Sequence, residues 1–148
     1  MSQALMFDTN VFASTLYTCH MKLVTDQFLA SVVVQELLVA LSQDKQAALL
    51  KTVDELDNRK RLIVPGKDDW VQVGKCLYKL LHKNTNVGGH LTKEAVNLLV
   101  RDALIARCAV CAGAQLITSN TEDFVRIKSV FRGLRFTTPC DYFGMRPR

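Results

Sequence analysis

The sequence predicts an α/β fold built on a mainly parallel central sheet, and three observations carry that prediction. Short apolar runs of strand length recur along the chain: Leu5-Met6-Phe7, Leu62-Ile63-Val64, Gln115-Leu116-Ile117-Thr118 and Leu134-Arg135-Phe136-Thr137. Between them lie longer stretches whose apolar residues repeat at three and four, the helical period. Two of the runs stop abruptly at small polar or acidic residues, Asp8-Thr9-Asn10 and Ser119-Asn120. Strands separated by helices pair in parallel through crossover connections.

The first run and its polar stop organise the rest. In an open parallel sheet, ligands collect outside the carboxyl ends of the strands. A carboxylate at Asp8 faces that crevice, and polar neighbours can hold it in one rotamer. The purely structural use of Asp8 or Asn10 is to cap the following helix. Residues 13–19 are then expected as a short helix, and 20–30 as helix or loop. Ser31 reads as the N-cap of a helix over 32–41. On that helix Glu36 shares a face with Val32, Val33, Val39 and Ala40, while Gln35 lies well round the cylinder. A charge on an apolar face is costly unless something compensates it; a structural ion pair at the core edge is the plain alternative.

Residues 44–61 read as an amphipathic helix ending in the basic run Arg59-Lys60-Arg61, which suits a helix C-terminus. Pro65-Gly66 turns the chain after the second strand. The pattern over 67–83 predicts a helix with Trp70, Val73, Leu77, Leu80 and Leu81 inward. Lys75, Lys79, His82 and Lys83 share its other side, either solvated or turned to phosphates. Residues 84–90 form the clearest loop. Thr92 caps an uninterrupted helix over 93–113, whose polar stripe is Lys93, Asn97, Arg101 and Arg107. Asp102 projects to the opposite side, among Ala95, Leu98, Leu99, Ile105, Ala106 and Ala109. Asn120 or Thr121 starts a short helix to Phe131, with Asp123 in its first turn, where an acid suits the dipole. A last strand is stopped by Pro139, and the chain ends in basic Arg146 and Arg148.

At 148 residues with 49% hydrophobic content and few glycines and prolines, the chain is expected to fold as a single domain spanning residues 1–148. No stretch is long and uncharged enough for a membrane span, and no basic leader precedes an apolar run, so a cytoplasmic protein is expected. Five cysteines, Cys19, Cys76, Cys108, Cys111 and Cys140, suit a reducing compartment. Cys108-Ala-Val-Cys111 has no second pair to complete a zinc site and reads as small core packing on a helix. Lys+Arg 19 against Asp+Glu 14 gives +5, a lean towards polyanions.

Asp8 and Asp123 are thus expected at or just beyond strand ends, with Glu36 and Asp102 on inward helix faces and no basic side chain at the same spots. Four converging acids repel one another, and a hard divalent cation such as Mg²⁺ or Mn²⁺ resolves that repulsion with oxygen ligands and retained waters. Such an ion polarises a phosphoryl oxygen and activates water for in-line attack, the chemistry of phosphodiester hydrolysis. A basic surface guides a polyanionic strand to it.

The set Phe7-Asp8-Thr9-Asn10, Glu36, Arg101-Asp102-Ala103-Leu104-Ile105-Ala106 and Thr118-Ser119-Asn120-Thr121-Glu122-Asp123-Phe124 resembles the PIN domain, and within it the VapC-type toxin ribonucleases of prokaryotic toxin–antitoxin systems. Order and rough spacing match from Leu5 to Pro139. The resemblance implies a three-layer α/β/α fold and a metal-dependent endoribonuclease, commonly homodimeric and held inactive by a small antitoxin. It implies Asp8, Glu36, Asp102 and Asp123 as catalytic acids around Mg²⁺ or Mn²⁺, with Asn10 and Thr118 supporting Asp8. Asn120 stands where many relatives carry Asp, leaving Asp123, which keeps the carboxylate, and Asn120 as alternatives for completing the metal shell, around one ion or two. The other readings are a housekeeping nuclease without antitoxin and a non-catalytic domain that binds RNA or a partner.

Overall fold

The computed structural model describes residues 3–13, 27–82 and 91–144. Five strands, β1 (Leu5–Phe7), β2 (Gln27–Ala30), β3 (Leu62–Ile63), β4 (Gln115–Ile117) and β5 (Phe136–Thr137), form one sheet in the order β3-β2-β1-β4-β5. Every neighbouring pair is parallel, and central Met6 sits opposite Phe28 on one side and Leu116 on the other. Helices flank the sheet: α1 (Thr9–Phe12), α2 (Ser31–Ala40), α3 (Gln43–Asn58), α4 (Lys67–His82), α5 (Lys93–Leu98), α6 (Val100–Cys111), α7 (Thr121–Val130) and α8 (Pro139–Phe143).

Alternation along β1 and β4 sorts their side chains to two faces. Met6 and Leu116 join a large core that takes in Val33 and Leu37 of α2, Val73 and Leu80 of α4, Leu104 of α6 and Ile127 of α7. Leu5, Phe7 and Ile117 form a second, smaller cluster with Val11, Phe12 and Phe143. Burial on both faces is why these strands are apolar throughout rather than alternating.

Four elements depart from the sequence reading. Residues 27–30, expected as helix or loop, are β2; the strand is pinned between β1 and β3, with the Leu29 N–H bonded to the Arg61 carbonyl at 2.9 Å. It runs straight into α2, so Ala30 in extended geometry is the N-cap, and Ser31 is already helical with no side-chain capping bond at that end. The helix over 93–113 is two helices meeting at Leu99, whose N–H bonds back to Val96 in a tightened turn. Leu98, just before that break, is 81% exposed instead of packed beside Asp102. Pro139 starts α8 rather than only stopping β5: it sits in the first turn, where proline's fixed φ suits a helix, and Thr138 caps it by accepting from the Asp141 N–H at 3.1 Å.

Trp70, expected inward, is largely exposed in the first turn of α4; the buried stripe begins a turn later with Val73, Cys76 and Leu80. Gly113 closes α6 at φ 62°, a left-handed position that glycine adopts without a Cβ penalty, and the Ala114 N–H returns to the Ala109 carbonyl. The described cysteines are free thiols. Cys108 is core packing, as is Cys76, and burial pushes their thiols up to about 12 and about 11. Cys111 is exposed, which corrects half of the Cys108–Cys111 reading. No described helix is long and apolar enough to cross a membrane. The expected loop over 84–90, Cys19, His20, Lys83 and the terminal arginines lie outside the described residues, as does nearly all of the expected helix over 13–19.

Candidate functional site

The strand order runs one way from β1 through β2 to β3 and the other way through β4 to β5. Connections therefore diverge at β1 and β4, opening a crevice beyond their carboxyl ends. Asp8 follows β1 directly and extends its pairing, its N–H bonded to the Ile117 carbonyl at 3.0 Å. The side chain is almost wholly buried and fully engaged. Oδ1 accepts the Thr9 N–H at 2.7 Å, capping α1, while Oδ2 accepts the Thr118 hydroxyl at 2.6 Å and the Asn10 amide at 3.0 Å. Capping and facing the crevice are here one arrangement.

Asn10 also accepts the Ser119 N–H at 3.0 Å, and Thr118 Oγ1 accepts the Asn120 N–H at 3.0 Å. The end of β1 is thereby laced to the end of β4. From α2, Glu36 accepts the Thr9 hydroxyl through Oε2, and its Oε1 meets Arg101 Nη1 at 3.4 Å. Asp102 enters from the first turn of α6. The amide of Asn120 donates to Asp102 Oδ2 at 3.1 Å and to Asp123 Oδ2 at 3.0 Å, tying the two acids together. Asp123 is held on its other oxygen by Arg126 at 3.2 Å.

A cleft of about 470 Å³ opens here, lined by Asp8, Thr9, Asn10, Gln35, Glu36, Val39, Arg101, Asp102 and Asn120. Thr118 stands fully buried behind Asp8. Asp123 does not line the cleft; it is bonded to Asn120, which does. Among the described residues, no three Asp, Glu, His or Cys side chains are gathered closely enough to form a ready-made metal-ligand group.

Burial raises the Asp8 carboxyl, and neighbouring Glu36 adds to the rise, against the opposing bonds from Thr118, Thr9 and Asn10. Asp102 is pushed up to about 7, first by burial and then by the charges of Asp8, Asp123 and Glu36, which Arg101 only partly offsets. The acids of the cleft are thus close enough to feel one another.

Sequence reasoning missed Thr9, Gln35 and Arg101. Thr9 lies inside the Asp8-Thr9-Asn10 stop and hydrogen-bonds both Asp8 and Glu36. The expected absence of basic side chains is corrected by Arg101, assigned to the far stripe but long enough to reach Glu36 from the rim. Glu36 itself is not on a wholly apolar core face: Val33 is buried but Val39 is 80% exposed and lines the cleft.

No protein-family model matches the sequence, and no curated protein does. Solved structures do match in fold. A chain of DNA-bound VapBC from Salmonella typhimurium superposes with a TM-score of 0.59 at 22% identity, covering 95% of this chain and 100% of that one. A chain of VapBC2 from Rickettsia felis, bound to a promoter DNA fragment, gives 0.57 at 21% identity, with 92% and 98% covered. A chain of FitAcB from Neisseria gonorrhoeae gives 0.58 at 16% identity, with 91% and 97% covered. The fold is PIN-like. Within this PIN-like fold, the acidic cleft occupies the crevice at which the sheet's connections diverge.

Proposed function

We propose that the protein is a Mg²⁺- or Mn²⁺-dependent endoribonuclease and the toxin of a toxin–antitoxin pair. The observation that carries this reading is that Asp8, Glu36 and Asp102, from three separate elements, line one cleft, with Arg101 the only lining cation among the described residues. The donor set fits a hard cation. Its oxygens are carboxylates and the Asn120 amide, and a small ion that keeps several of its own waters needs only a few protein ligands. Burial first, and then the charges of Asp8, Asp123 and Glu36, push Asp102 up, and a bound cation would offset both.

In this reading Asp8, Glu36 and Asp102 hold the ion. Asn120 faces the cleft, while Asp123 acts through Asn120, an outer partner that orients a ligand. When bound, the cation supplies Lewis-acid polarisation of a phosphoryl oxygen and activation of water. The chain's own residues do the positioning. Asn10 and Thr118 fix Asp8 in one rotamer, Thr9 and Arg101 steady Glu36, and Asn120 holds Asp102 against Asp123. The net charge of +5, with acids gathered in the cleft, leaves the remaining surface more basic and suited to a polyanionic strand.

The fold shared with chains of VapBC and FitAcB structures supports an antitoxin partner; a homodimer working in the cytoplasm completes the proposal. The test is to incubate the purified protein with structured RNAs in Mg²⁺, Mn²⁺ and chelator, beside Asp8→Asn and Asp102→Asn. Discrete metal-dependent cuts that vanish in both variants are expected; a folded protein that binds RNA but cuts none would leave the non-catalytic reading in its place. Growth arrest on induction, relieved by a co-expressed small protein encoded beside it, tests the toxin assignment against a housekeeping nuclease.

A further inference from the structure

Arg101 differs from every other charged residue lining the cleft. Its side chain is 61% exposed, and its single hydrogen-bonded or ion-pair partner among the described residues is Glu36, met by Nη1 at 3.4 Å. A guanidinium carries five N–H donors in a planar fork that matches two oxygens of a carboxylate or phosphate. Committed charge-assisted bonds of this type run to about 2.7–2.9 Å, as the Arg107–Asp69 pair does at 2.7 Å. The Glu36 contact is long and one-pronged, so the fork is tethered over the cleft and largely unspent. Among the described residues, the remaining charged side chains lining the cleft are the acids Asp8, Glu36 and Asp102, which repel a phosphodiester.

We propose that Arg101 receives the phosphate of the substrate strand, its guanidinium binding the two non-bridging oxygens of one phosphodiester, with Glu36 holding it at the rim until then. This deepens the nuclease reading and rests on it for the identity of the strand. Asp102 is the next residue on α6, so a phosphate gripped by Arg101 is delivered beside the acids. The rim position suits a residue that must meet substrate before the buried acids do.

The test reads binding and cleavage separately. A fluorescein-labelled single-stranded RNA of mixed sequence is titrated in EDTA, by anisotropy, over a range of salt. The proteins are the wild type, Arg101→Ala, Arg101→Gln, Arg101→Lys and, as control, Arg135→Ala, whose residue lies at the opposite end of the strands beside Gly113. Loss of one phosphate contact to a single strand lowers the slope of log K against log salt by about 0.7. Arg101→Ala and Arg101→Gln are both expected to show that loss with several-fold weaker binding; Gln keeps most of the stem, which separates charge from packing. Arg101→Lys is expected to keep the slope yet raise KM in cleavage, because it keeps the charge and loses the fork. Wild-type slopes in Arg101→Ala and Arg101→Gln, alongside RNA cutting by the wild type, would overturn the proposal and leave the nuclease reading intact. An equal slope loss in Arg135→Ala would also overturn it, since any surface arginine would then serve. A slope loss confined to Arg101 variants, with no cutting by the wild type in Mg²⁺ or Mn²⁺, would uphold the phosphate contact and remove the nuclease. A wild type that neither binds the RNA in EDTA nor cuts it in Mg²⁺ or Mn²⁺ would overturn both, and one that cuts without binding in EDTA would overturn the metal-independent phosphate contact alone.

Discussion

Asp69 on α4 and Asp102 on α6 belong to helices packed against each other, yet their surroundings treat charge in opposite ways. Asp69 accepts the Gly66 N–H at 2.8 Å and Arg107 Nε at 2.7 Å, with the Cys111 thiol at 3.5 Å. The Arg107 bond and the Gly66 N–H hold its carboxyl below the usual range. Asp102 has the Asn120 amide and three acids within electrostatic reach, and its carboxyl is pushed up to about 7. One cluster is closed and neutral, a joint between helices. The other is open to the cleft, and burial together with its acidic neighbours favours the protonated form of Asp102.

The sharpest way to break that contrast is through chemistry. Asp8→Asn and Asp102→Asn are each expected to lower metal-dependent RNA cleavage by about 100-fold or more, since even outer partners of metal ligands are worth 10–100-fold. Asp69→Asn is expected to leave kcat unchanged in the same assay. A cleavage loss in Asp69→Asn comparable to that in Asp102→Asn would erase the distinction between joint and site.

The pH dependence of stability is expected to carry opposite signs for the two clusters. Asp8 and Asp102 have raised folded-state pKa values, so their contribution is fully present below the unfolded-state value and lost as pH rises through the folded-state one. Thermal melts in chelator are therefore expected to fall between about pH 4 and pH 7. Asp102→Asn is expected to flatten that fall and raise the melting temperature at pH 7.5 by about 3 °C or more, a shift worth about 1 kcal/mol in a domain of this size. Asp69 is the reverse case, stabilising above the unfolded-state value and losing that contribution as pH drops through its lowered one. Asp69→Asn or Arg107→Ala is expected to cost about 2–4 °C at neutral pH, the scale of a partly exposed ion pair of about 1 kcal/mol.

The smallest effect is expected at Thr9, which is outside the acids but touches two of them. Thr9→Val keeps the shape and removes the hydroxyl bonded to Glu36. Roughly tenfold more Mn²⁺ should then be needed for half-maximal cleavage, with kcat near wild type at saturation. An unchanged metal requirement would show that Glu36 is held well enough without Thr9.

These two clusters also mark where the sequence is readable. β1 and β4 are legible because short apolar runs end at polar residues, and that ending is what places Asp8, Thr118 and Asn120 at the crevice. β2 is not, because its four residues run without a loop into an equally apolar helix, and only pairing on both sides makes them a strand. Asp102 stands out as an acid among small apolar neighbours on α6. Arg101, one position earlier, does not, because an angular stripe locates a Cβ and ignores the length of an arginine. The turn at Leu99 is equally hidden: nothing breaks the helical period there, yet the turn puts Leu98 outside. Asp123 carries the motif's carboxylate, but which of two neighbouring side chains reaches the cleft depends on a hydrogen-bond network that no spacing encodes.

The order of strands has a consequence for how the molecule comes into being. Among the five strands described, the earliest in the chain is the central one, and the carboxylate that follows it is anchored by Thr118, 110 positions later. Until β4 has been synthesised, Asp8 lacks the hydroxyl, and the end of β1 lacks the partner, that give the cleft its shape. Contacts this distant in sequence also form late, because the loop they close must be ordered before they reward it. A nascent chain therefore carries its acids without their arrangement until β4 has been made.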